Sequence, residues 1–118
     1  MGNQSTTIRI TKTFDNTVDS AISHLALYTN EDDVIDRVIA LINHFETHVL
    51  DNPYIYSRCI ELTQLGVASV REFNYDGFRI LYEVQKNRDD SLTIEVLLLL
   101  LQNQSIQNQL IEHCLLYK

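Results

Sequence analysis

Few side chains in this chain of 118 residues are equipped for chemistry, and they are scattered. Arg79 stands in an alternating run, Phe78-Arg79-Ile80-Leu81-Tyr82-Glu83-Val84. An arginine so placed either grips a phosphate or a partner's carboxylate, or pairs across strands with Glu72 or Glu95. Arg71 flanks Glu72 and reads as an exposed cross-strand charge or a partner contact, not as a catalyst. His44 and His48 lie one helical turn apart around Glu46, a spacing that can chelate zinc. A metalloprotease helix needs its Glu directly after the first His, and with no third ligand evident no metal is expected. The two cysteines, Cys59 and Cys114, are too few for a disulfide framework or a zinc module. Nothing near Cys59 would lower its pKa, so both are expected as buried thiols in a reducing compartment. Tyr54 and Tyr56 follow Pro53, where aromatic rings either anchor a partner or pack over the fold. Three glycines cannot build a phosphate-cradling loop, and no cofactor is expected.

The charge narrows the classes further. Nine Lys and Arg against sixteen Asp and Glu give −7, the wrong balance for a surface that neutralises phosphates. Protein partners are favoured over RNA, DNA or an anionic membrane. With 45% hydrophobic and 21% charged residues and a single Pro, the composition is that of one folded domain, not of a linker or a disordered tail. The longest apolar stretch, Val96 to Leu101, is far short of the ~20 residues that cross a bilayer. The opening MGNQSTTIRITKTF lacks the basic start and apolar core of a signal peptide. Its Met-Gly with Ser5 and Thr6 is a loose myristoylation match without a polybasic second signal. The expected location is the cytoplasm.

The elements that must position these residues follow from periodicity. Ile8 and Ile10 alternate with polar neighbours as in a short strand. Asp15, Asn16 and Thr17 offer caps for a helix carrying Val18, Ile22, Leu25 and Tyr28 on one face. Asn30 stops it, and Glu31, Asp32 and Asp33 open a second helix with Ile35, Val38, Ile42, Phe45 and Val49 along its stripe. So short a connection implies a helical hairpin, which Asn52-Pro53 ends. Residues 54–66 are predicted as a connecting segment with Ile60, Leu62 and Leu65 against the core. Strands over 67–75 and 78–85 flank Asp76-Gly77, a hairpin-turn dipeptide, and a third runs from Leu92 to about Leu101. From Ser105, a last helix is predicted with Ile106, Leu110, Cys114 and Tyr117 on its stripe. The predicted fold is one α+β domain over residues 1–118: N-terminal strand, helical hairpin, three-strand meander and C-terminal helix around an antiparallel sheet.

The run from Val70 through Asp76-Gly77 to Val84, with Asn52-Pro53 and Leu65-Gly66 before it, resembles the core of RelE/ParE toxins of bacterial type II toxin–antitoxin systems. The element order agrees over nearly the whole chain, from Ile8 onward. The resemblance implies a plasmid-stabilisation type toxin neutralised by a cognate antitoxin. RelE-like members cut messenger RNA on the ribosome with basic residues on the sheet, whereas ParE-like members act on DNA gyrase. Here only the middle-strand arginine of the nuclease set is present, as Arg79. The two preceding lysines fall at Val70 and Glu72, the basic pair after the last strand at Gln102 and Asn103, and the tyrosine near Gln109. A nuclease would have to use Arg79 with His113 and Tyr117, and one arginine beside Glu72 does not supply base, acid and phosphorane stabiliser. The resemblance is therefore to ParE: no enzyme, an expected gyrase target, and an endoribonuclease as the competing reading.

The last strand ends in five leucines, without alternation, so both its faces should be covered. The helical hairpin covers one. Leu81, Leu97, Leu99 and Leu101 are expected on the other, beneath the last helix and an antitoxin segment, with Arg71 and Arg79 at the margin to meet acidic residues of that partner. A homodimer or a toxin–antitoxin hetero-oligomer is expected on the same ground.

Overall fold

The computed structural model describes residues 5–104 and residue 106. Its elements run β1 (Thr6–Ile10), α1 (Lys12–Leu25), α2 (Glu31–Asp51), α3 (Ile60–Gln64), β2 (Val70–Tyr75), β3 (Phe78–Lys86) and β4 (Leu92–Leu101). The expected C-terminal helix, with Leu110, His113, Cys114 and Tyr117, lies outside the described residues apart from Ile106.

Helix α1 starts three residues before the predicted caps. The Thr11 hydroxyl accepts from the Phe14 amide at 3.1 Å and donates to the Val96 carbonyl at 2.8 Å, so one side chain caps the helix and ties it to β4. The earlier start turns Phe14, Thr17 and Ala21 inward, with Val18, Ile22 and Leu25 beside them. Tyr28 lies beyond the helix, 77% exposed. Helix α2 is capped by Asn30, whose side chain accepts from the Asp32 amide at 2.7 Å. Its buried stripe is Val34, Val38, Leu41, Phe45 and Val49, with Ile35 and Ile42 only half-buried on the flank. The connecting segment folds a short helix of its own, α3. Leu62 is buried there, while Ile60 and Leu65 point outward at 72% and 61% exposure.

The sheet order is β1-β4-β3-β2. β2, β3 and β4 form the expected antiparallel meander, but β1 lies parallel to β4, so the sheet is mixed. Alternation reports which face a residue takes and carries no information on strand direction; the helical hairpin returns the chain so that the meander ends running alongside β1. The β2–β3 turn has positive φ at Asp76 (51°) and Gly77 (79°), the conformation a two-residue hairpin needs.

One irregularity governs everything on β4. Leu81 pairs with Leu98 and Tyr82 with Val96, so Leu97 is an extra residue, a β-bulge. The bulge reverses the face of all that follows it. Ile94, Val96, Leu99 and Leu101 pack on the helical hairpin, together with Phe73, Phe78, Ile80 and Tyr82. Leu98 and Leu100 face the other way, with Leu81, Val70, Leu62, Cys59 and Ile106, and Leu97 packs at their edge. β1 stops opposite Val96, and beyond it the Leu99 amide donates to the Thr17 hydroxyl at 2.9 Å.

Candidate functional site

Arg79 sits mid-sheet on β3, on the face turned away from the helical hairpin. Its side chain forks onto Glu72 of β2, with Nε and Nη2 each 2.9 Å from a carboxylate oxygen. Nη2 also donates to Glu61 on α3, and Nη1 to the Gln104 carbonyl at 3.4 Å. Arg79 is only 7% exposed, and the carboxylate hydrogen bonds hold it protonated above its ordinary range against the opposing pull of burial. Burial pushes the Glu72 carboxyl up, but hydrogen bonds from Arg79, Cys59 and Asn74, together with the Arg79 charge, outweigh it and leave the group below its ordinary value. Two carboxylates thus meet one guanidinium, and the set is net negative.

This triad lines a polar cleft of about 510 Å³ with Ser57, Arg58, Asn74 and Gln102. A phosphate entering it would have to displace two carboxylates that are already paired. Cys59 lies beneath, 1% exposed, and burial pushes its thiol pKa up, away from the thiolate form. Beside the cleft an apolar groove of about 280 Å³ runs between Leu62, Val67, Val70, Leu81, Leu97 and Leu98, with Thr11 and Thr13 at its rim. The groove and the cleft together form the candidate site.

The sequence-derived set is only partly assembled here. Arg79 pairs with Glu72 as expected, whereas Glu95 bonds Arg9 at 3.1 Å instead. Leu81 and Leu97 lie on this face. Leu99 and Leu101 do not: the bulge turns both into the helical-hairpin core. Arg71 is also on the opposite face, because it alternates with Val70 and Glu72. Its Nη1 donates to the Tyr56 carbonyl at 2.7 Å and its guanidinium lies 5.2 Å over the Tyr54 ring, so it braces the 54–58 loop and does not join Arg79. His113 and Tyr117 lie outside the described residues.

Glu61, Val67 and Leu98 join the site without having been singled out, and Leu62, expected against the core, lines its groove. The only signal for Glu61 is its position in a run compatible with helix, IELTQ. His44 and His48 have ring centroids 4.2 Å apart, and His44 stacks on Tyr75 at 4.3 Å. The described residues hold no group of three or more His, Cys, Asp or Glu placed to bind a metal. No helix of the described residues is long and apolar enough to cross a membrane. No protein-family model matches the chain, and no curated protein matches it.

Proposed function

We propose that this chain is a toxin of the RelE/ParE type, closer to ParE, that acts through protein contacts and is neutralised by a cognate antitoxin. The element order, the tight Asp76-Gly77 turn and an arginine at the middle of the meander support the assignment to that fold. The observation that carries the mechanism is the Glu72–Arg79–Glu61 triad. The one cation shared with the nuclease members is committed to two carboxylates, and the apolar groove next to it suits a protein segment better than a phosphate backbone. The expected target is DNA gyrase. The expected antitoxin lays an apolar segment over Leu62, Val67, Leu97 and Leu98.

The test is expression in a bacterium, alone and together with the product of the adjacent gene, followed by assay of the purified protein on gyrase supercoiling. Growth arrest relieved by the neighbour, with supercoiling inhibited, is the expected result. Absence of arrest, or arrest with supercoiling untouched, overturns the reading.

A further inference from the structure

The two edges of the sheet are treated differently. On β2, residues 57–59 lie alongside as an extra rung: the Cys59 amide donates to the Val70 carbonyl at 2.8 Å, and the Glu72 amide to the Ser57 carbonyl at 3.0 Å. That rung covers the Val70–Glu72 stretch of the β2 edge. β1 has no such cover among the described residues. Its bonds to β4 begin with the Leu92 amide on the Ser5 carbonyl and end with the Thr11 amide on the Val96 carbonyl. In a parallel ladder every second residue turns both its N–H and its C=O toward the neighbour, so Thr7, Arg9 and Thr11 face β4 while Thr6, Ile8 and Ile10 face outward. Three N–H and three C=O groups therefore point away from the sheet in one row.

We infer that the outer edge of β1 pairs antiparallel with β1 of a second copy of this chain, about a two-fold axis through Ile8. The geometry is self-complementary. Centring on Ile8 sets Ile8 opposite Ile8 and Thr6 opposite Ile10, so every outward residue meets an outward residue and the row of donors and acceptors is satisfied in both chains. A register one residue away would set outward residues against inward ones and forfeit the ladder. The side chains agree with it. Ile8 is half-buried and Ile10 is 42% exposed, and both gain a cross-strand neighbour.

Charge does not oppose a second copy at this edge. A chain of net charge −7 repels its copies over most of its surface, but β1 carries no acidic residue and its Arg9 balances Glu95 at 3.1 Å. Across the axis Arg9 faces Thr7, not another charge. A strand of five residues makes an interface below the ~1,200 Å² of a stable complex, so the dimer is concentration-dependent. This inference stands apart from the proposed function, since neither gyrase inhibition nor its absence bears on it.

Light scattering and sedimentation of the full chain across the micromolar range, with residue-resolved amide exchange at each concentration, test it. The expected result is a shift from monomer to dimer in which the Ile8 and Ile10 amides gain protection with concentration, while those of Thr7 and Arg9 are protected throughout. Thr7→Lys, an exposed change that sets lysine against the opposing Arg9, should weaken the dimer by about tenfold with the monomer fold intact by circular dichroism. Ile8→Pro removes an outward N–H and no bond to β4, and should also give a monomer. A monomer at every concentration, a dimer whose Ile8 and Ile10 amides exchange freely, or a dimer indifferent to Thr7→Lys would overturn the inference.

Discussion

The two faces of the sheet are built on opposite principles. The hairpin face is a continuous apolar core closed by α1 and α2, with Phe45 set 5.4 Å from Phe73 and 5.3 Å from Tyr82. The far face has a small apolar cluster, a helix of five residues, and an ion triad, buried at Arg79 and open at Glu61, in place of further hydrophobic side chains. Strand β3 serves both, sending Phe78, Ile80 and Tyr82 one way and Arg79 and Leu81 the other. The lesson is a division of labour. Stability comes chiefly from the face where dispersion and apolar burial add up, which leaves the other free to carry charge and an open groove.

The largest test of that division is Phe45→Ala. Its ring is 1% exposed amid aromatic neighbours, and its removal should cost about 4 kcal/mol in denaturant unfolding. A loss under about 1 kcal/mol would mean that the hairpin face is not the main core.

Next comes Arg79→Met, which strands the Glu72 carboxylate and should cost about 3 kcal/mol. Adding Glu72→Leu should recover most of that loss, because an apolar pair of similar size needs no compensating charge. If the double variant were no more stable than Arg79→Met alone, the pairing would not be what holds this face.

The third test is alkaline. The Tyr82 hydroxyl donates to the Pro53 carbonyl at 3.1 Å, and burial raises its pKa from 10.0 to about 12. The unfolded chain ionises first, so this stabilisation is complete below pH 10 and is lost as pH rises toward 12, by about 2 kcal/mol. Tyr82→Phe should abolish that decline and cost about 1 kcal/mol at neutral pH for the unmatched carbonyl. The acid side runs the other way: Glu72, lowered in the fold, supports stability above its ordinary 4.5 and loses it as pH falls below.

The smallest effect belongs to the turn that joins the strands. Gly77 has φ of 79° with open space around it, so Gly77→Ala should cost only about 1 kcal/mol, all of it backbone strain. A larger loss would point to a packing role that this position does not show.

How much of this was legible in the sequence depends on what each signal encodes. The strands of the meander and the Asp76-Gly77 turn were readable because alternation and turn chemistry are local. The Arg79–Glu72 pair was readable because both lie on adjacent hairpin strands. The bulge at Leu97 was not: with five leucines in a row, a change of face leaves no mark, so Leu99 and Leu101 were assigned to the wrong side. Arg71 was misplaced for a related reason, since proximity in sequence to Glu72 concealed that it points through the opposite face. Glu61 was missed because it arrives from a connecting segment whose path only tertiary packing decides. The direction of β1 was likewise invisible to periodicity.

Arg79 is held by Glu72 and Glu61, and we propose that it serves there as a structural cation and not as a phosphate-binding catalyst. The most direct measurement is the integrity of messenger RNA on ribosomes incubated with the purified protein. The account predicts intact message with the native chain and with Arg79→Ala alike. Message cut by the native chain and spared by Arg79→Ala would contradict it.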